Sequence, residues 1–139
     1  METEFITAIW LVKLDKVQEL TEYIEWKYSS DDNVEPTSKF AVDSELISYD
    51  VDFLESAFLD STDKVLTTLE NFSYIEYYKD NLFEKINSLD ISDKNSIIAI
   101  TGKRSINGDI NSQLFDGNFT TTDEKKLQFV GAYKYIMTE

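Results

Sequence analysis

Asp50 and Asp52 flank Val51, a spacing at which two carboxylates can share a divalent cation through oxygen ligands. A pair of this D-x-D kind would suit a metal-dependent enzyme or one handling nucleotide-sugars. No glycine-rich phosphate loop accompanies it, and an aspartate ahead of an apolar run is an ordinary helix cap. Capping on a solvated acidic surface is therefore the preferred reading. Asp109-Ile110-Asn111-Ser112-Gln113 begins like a calcium loop, but Leu114 and Thr120 stand where that loop needs Gly and Glu. Gly102-Lys103-Arg104-Ser105 lacks the upstream glycine of a phosphate loop and has Arg104 where Ser or Thr is required. The 27 acids make chance glycosidase-like pairs inevitable, and nothing places two of them across a cleft.

The chain contains neither histidine nor cysteine. That removes Ser-His and Cys-His catalysis, the common zinc sites, disulfides and the side chain best suited to proton transfer near neutral pH. The expectation is a protein that is not an enzyme and that uses no cofactor or metal.

Binding is the remaining chemistry, and charge is its main signal. The net charge of −14 disfavours nucleic acid and anionic membranes, whose phosphates call for Lys and Arg, and it favours basic partners. The charge is concentrated: residues 29–63 hold ten acids and one base, Lys39, for a net −9. Trp26 and Tyr77 add aromatic candidates. Each lies off the apolar stripe of its expected helix, and aromatics rimmed by charge are typical binding anchors. The competing reading is that the connection over residues 29–60 folds back and covers them. The expected partner-binding residues are Glu22, Trp26, Asp50, Asp52, Glu55 and Tyr77.

These residues need elements to position them. Phe5 to Val12 is short, β-branched and aromatic, and apolar on both alternating faces, which predicts a buried central strand. Asp15 with Gln18 forms a capping box, and Val17, Leu20, Ile24 and Tyr28 form one helical face. At about 100° per residue Trp26 then points away from that face. Residues 29–46 lose periodicity around the only proline, Pro36, with Phe40 and Val42 as anchors. Asp50 or Asp52 caps a helix carrying Phe53, Leu54, Ala57 and Phe58, and a second short helix spans Thr62 to Asn71. Ser73 with Glu76 opens a longer one through Ile75, Tyr78, Leu82, Ile86 and Leu89. Ser96 to Thr101, a segment around Leu114–Thr120, and Leu127 to Ile136 read as strands, with turns at Asn107-Gly108, Asp116-Gly117 and 122–126. Gly131 marks a bulge or a close backbone approach. The sum is an α+β chain, one domain over 1–139, with one mostly antiparallel sheet of about four strands. Three to four helices are grouped between the first strand and the second. The acidic start Met1-Glu2-Thr3-Glu4 is unlike a secretory leader, so the expected location is cytoplasmic.

Several of these segments together resemble the immunity protein 22 family. They are Ile9-Trp10-Leu11, Leu20-Thr21-Glu22-Tyr23-Ile24, Phe40 with Asp43, Ser48 through Glu55, and Leu127 through Tyr135. The family favours Gly after Trp-Leu, where this chain has Val12. The resemblance implies a small α+β protein, encoded beside a bacterial polymorphic toxin, as in contact-dependent inhibition. Such a protein binds and neutralises a cognate toxin domain, often a nuclease. It implies no catalytic residues, and Trp10, which alternation places in the first strand, is expected to be core. Three other readings use the same residues: an acidic nucleic-acid mimic of the phage counter-defence type, a metal-dependent enzyme on Asp50 and Asp52, and an oligomeric adaptor with tyrosine-rich faces.

Overall fold

The computed structural model describes every residue except 1, 29, 32, 34, 118, 120–125 and 139. Its centre is β1 (Glu2–Val12), flanked by β3 (Ser96–Lys103) on one side and β4 (Leu127–Thr138) on the other. A shorter strand, β2 (Leu54–Phe58), pairs with β3, so the antiparallel sheet has four strands in the order β2-β3-β1-β4. The double-sided apolar pattern of β1 decides the layering. Ile6, Ala8, Trp10 and Val12 enter one core cluster, while Phe5, Ile9 and Leu11 enter another. A strand apolar on both faces must be covered on both. The first face is covered by α1 (Val17–Ile24), α2 (Lys39–Ser44) and α5 (Gln113–Asp116), through Leu20, Tyr23, Phe40, Ala41, Leu114 and Phe115. The second is covered by α3 (Val65–Leu69) and α4 (Lys79–Asn87), through Val65, Leu69, Leu82 and Ile86.

The α+β class and the antiparallel four-stranded sheet are as expected; several elements differ. The Phe53–Phe58 helix is instead a single 3-10 turn, Val51–Phe53, followed by β2, whose pairing with β3 supplies the sheet edge. That strand divides the helices into a pair before it and a pair after it. Of the strand expected around Leu114–Thr120, the residues to Asp116 instead belong to α5, which plugs Leu114 and Phe115 into the first core, and residues 118 and 120 lie outside the described residues. α1 buries Leu20 and Tyr23, while Val17 and Tyr28 are exposed, so the buried stripe is rotated from the expected one. The N-cap of α1 is Lys16 without a side-chain cap, and Glu19 reaches back to accept from the Asp15 N–H. Ser73 caps no helix; a turn at Tyr74 and a 3-10 segment precede α4. Phe40 is a core anchor, but Val42 is exposed.

Other expectations match. β1 is central, Trp10 is buried, and Gly108 takes the left-handed turn conformation with φ 122°. The β1–β4 register shifts between Ile9 and Trp10, so that Gly131 and Phe129 face them and Val130 is the extra residue of a bulge. The turn expected over 122–126 falls outside the described residues except for Lys126. Val12 is fully buried and pairs with both Ser96 and Leu127 as the last residue of β1.

Candidate partner-binding surface

On the first face, Glu22 is exposed along α1 beside a depression of about 470 Å³ lined also by Glu19, Tyr23, Lys39 and Asp43. The Tyr23 hydroxyl donates to the Asp43 carboxylate at 2.7 Å and ties α1 to α2. Burial, reinforced by that bond, pushes the Tyr23 phenol well above its ordinary value. Trp26 is half-buried and stacks on Tyr49, with ring centroids 4.8 Å apart and planes at 29°. Tyr49 is itself fixed: its hydroxyl donates to the Ile24 carbonyl and shares a bond with Ser38, the N-cap of α2. The connection after α1 returns through a bridge between Lys27 and Thr37. Trp26 is thus partly covered by its own chain and offers only part of its surface.

Asp50 and Asp52 lie just beyond. The Asp50 carboxylate accepts the Asp52 N–H at 3.0 Å and caps the 3-10 turn at 51–53. Among the described residues no group of three or more acids, histidines or cysteines is placed to hold a metal. The preceding loop is clamped by two side-chain amides that sequence reading had seen only as parts of a failed calcium loop. Gln113 accepts from the Ile47 N–H and donates to the Glu45 carbonyl, both at 2.8 Å. Asn111 accepts from the Asp50 N–H at 2.7 Å and donates to the Thr101 carbonyl at 2.9 Å. Gly102 permits the crossing, since a side chain there would meet the Ile110 and Asn111 carbonyls at 3.1 and 3.0 Å. Leu46 and Tyr49 point into the core, leaving Ile47, 85% exposed, at the tip of a rigid loop.

Glu55 and Tyr77 lie on the other face. Side chains alternate along β2, so Leu54 and Phe58 join the first core while Ala57 joins the second. Glu55 shares Ala57's face, and its carboxylate accepts the Ser73 N–H at 3.0 and 3.3 Å. Tyr77 is half-exposed and stacks on Tyr135 at 5.3 Å. Phe5, Tyr74, Tyr78 and Tyr133 complete an aromatic layer around that ring. The Tyr135 hydroxyl shares a 2.7 Å bond with Thr7, whose hydroxyl bonds Thr101 at 3.0 Å, so the polar groups buried in mid-sheet satisfy one another. The six expected residues therefore divide: Glu22, Trp26, Asp50 and Asp52 on one side, Glu55 and Tyr77 on the other. Sequence reading missed Tyr74, Asn111 and Gln113, because backbone conformation and long-range amide bonds leave no periodic signal.

A four-stranded antiparallel sheet sheathed on both faces by short helices, with acidic and aromatic features at its surface, defines a small α+β protein whose candidate site is that surface. The model of the immunity protein 22 family matches residues 7–136, and the chain belongs to that family. No curated protein and no solved structure matches it.

Proposed function

We propose that this protein binds and neutralises a cognate toxin domain of a polymorphic toxin system, in the cytoplasm of the cell that makes the toxin, without catalysis of its own. Membership of the immunity protein 22 family carries this reading. The charge distribution adds a mechanism. A nuclease-type toxin is basic where it binds phosphates, and the net −9 of residues 29–63 suits occupation of such a surface. Opposite charge speeds encounter, and docking excludes the substrate. Glu22, Asp50 and Asp52 supply exposed carboxylates on this side, where the half-buried Trp26 offers part of its surface, while Glu55 carries its charge on the opposite face. No helix among the described residues is long and apolar enough to cross a membrane.

The test is association with the toxin domain encoded beside this gene, measured at several salt concentrations. A variant combining Glu22→Gln, Asp50→Asn, Asp52→Asn and Glu55→Gln keeps every capping oxygen and removes four charges. It should associate more slowly and with a flatter salt dependence, at a cost of about 1 kcal/mol per rim charge. Wild-type association rate and salt dependence in that variant would exclude the acidic mechanism. No complex with the toxin at all would exclude the function.

A further inference from the structure

We propose that Tyr74 and Tyr77 form the seat for an arginine side chain of the toxin domain, on the face of the sheet opposite α1. The inference deepens the proposed function and rests on it. Its starting point is a bulky side chain at a turn position whose backbone conformation glycine would adopt at least cost. Tyr74 sits in the left-handed region, with φ 63° and ψ 12°. That conformation is cheap for glycine and tolerable for asparagine, but it is a genuine outlier for a bulky aromatic residue. Such conformations persist where their surroundings over-determine them, and they cluster at functional sites. Here the turn is held from both sides of Ser73: Glu55 accepts its N–H, and the Tyr78 hydroxyl donates to its carbonyl at 3.2 Å.

The result is a rigid aromatic shelf open to solvent. Tyr135 is its floor, 7% exposed and fixed through Thr7. Tyr77 stacks on that floor with planes at 16°, and Tyr74 lies 6.2 Å from it and 5.9 Å from Phe5. Tyr74 and Tyr77 remain 37% and 47% exposed. Rigid, half-exposed tyrosines lose little entropy on binding and recur as interface anchors.

Charge selects the occupant. Glu55, bonded to the N–H of Ser73 beside Tyr74, and Glu76, the chain neighbour of Tyr77, place two carboxylates at the shelf, and both add to the burial that pushes the Tyr78 phenol up. Carboxylates beside tyrosine faces attract a cation. The chain already uses this layer for one, since the Lys103 ammonium lies 5.6 Å over the Phe5 ring. A guanidinium fits the rest better than an ammonium. It is planar, so it can extend the Tyr135–Tyr77 stack by one layer while its edge donates to a carboxylate. A basic toxin domain facing a chain of net charge −14 supplies such a group.

The test uses the full chain and the toxin domain encoded beside its gene, with affinity and melting temperature measured for each variant. Tyr74→Gly removes the ring and relaxes the left-handed backbone; Tyr77→Ala removes the second ring. Each should raise Kd about thirty-fold, mainly through the off-rate, the change that roughly 2 kcal/mol produces, while the fold still melts cooperatively. Tyr74→Phe and Tyr77→Phe keep the faces and should stay within about three-fold of wild type. Blocking the toxin's arginines with a dicarbonyl reagent should erase the difference between wild type and Tyr77→Ala; acetylating its lysines should not. The proposal falls if both ring deletions bind like wild type, if the Phe variants lose as much as the deletions, or if acetylation rather than dicarbonyl treatment closes the gap. Wild-type toxin binding that survives both ring deletions unchanged would overturn this seat alone. Failure of the wild-type chain to bind would overturn it together with the proposed function.

Discussion

Trp26 shows how much a residue's meaning depends on its neighbours. Off its helical stripe and rimmed by glutamates, it reads from sequence as an exposed anchor, yet it stacks on Tyr49 and packs against the first core. Tyr49 in turn holds the end of α1 and the cap of α2, so the stack joins three segments. Trp26→Ala should therefore destabilise the fold by about 2 kcal/mol, from lost burial and a lost aromatic pair, and lower the melting temperature by several degrees. Trp26→Phe should recover most of that loss. Thermal unfolding followed by circular dichroism measures both; an unchanged melting temperature in Trp26→Ala would show that the stack holds nothing. Trp10 was legible by contrast, because strand alternation alone buries it, and it meets Phe40 edge-on at 5.1 Å.

Among the elements, β4 carries the clearest local constraint. Its bulge falls beside Gly131, where an added Cβ would meet the Tyr133 hydroxyl at 2.5 Å and its ring carbon Cζ at 2.8 Å. Tyr133 is not free to swing, because it stacks on Tyr78 at 5.9 Å, with planes 10° apart. Gly131→Ala should thus force the ring out of its stack and cost about 1–3 kcal/mol by overpacking, read as a lower denaturant midpoint with the slope unchanged. A midpoint equal to wild type would show that the ring yields freely. Two other elements differ from expectation for a shared reason. Leu54–Phe58 and Leu114–Thr120 are short segments in which a few apolar residues alternate with polar ones, and periodicity cannot separate a strand from a helical turn at that length. Pairing with β3 settled the first, and insertion of Leu114 and Phe115 into the core settled the second.

At the scale of the whole molecule, buried tyrosine links the fold to alkaline pH. Burial is the first cause that raises the phenols of Tyr23, Tyr49, Tyr78, Tyr133 and Tyr135. Tyr135 is pushed from its ordinary 10.0 up to about 12. A folded pKa above the unfolded one means that the native state holds the proton more tightly. The stabilisation is then complete below about pH 10 and is lost as pH rises through about 12. The melting temperature should stay level from pH 8 to about 10 and fall steeply above it, with the late part of the phenolate absorbance rise coinciding with unfolding. Phenolate absorbance complete at pH 11 in a still-folded chain would contradict this. The same scale explains why the helices cannot lie on one side: β1 and β3 are apolar on both faces, so the sheet is a middle layer.

The central strand, the α+β class, the mostly antiparallel sheet, an irregularity in the last strand near Gly131, the concentration of negative charge and the family were all legible in the sequence. Each follows from a local pattern, whether a period of two, a turn dipeptide, a tally of charges or a set of spaced motifs. Long-range packing made β2 a strand, set Asn111 and Gln113 to clamp the loop before Asp50, and parted Glu55 from Asp50 and Asp52 to share a face with Tyr77. It also placed Tyr74 in a left-handed turn beside them. The reason is physical: a short segment's state, a side chain's hydrogen-bond partner and the face it occupies are set by what packs against it from far along the chain. A residue such as Glu55, eighteen positions from Ser73, bears no local mark of the bond it will make.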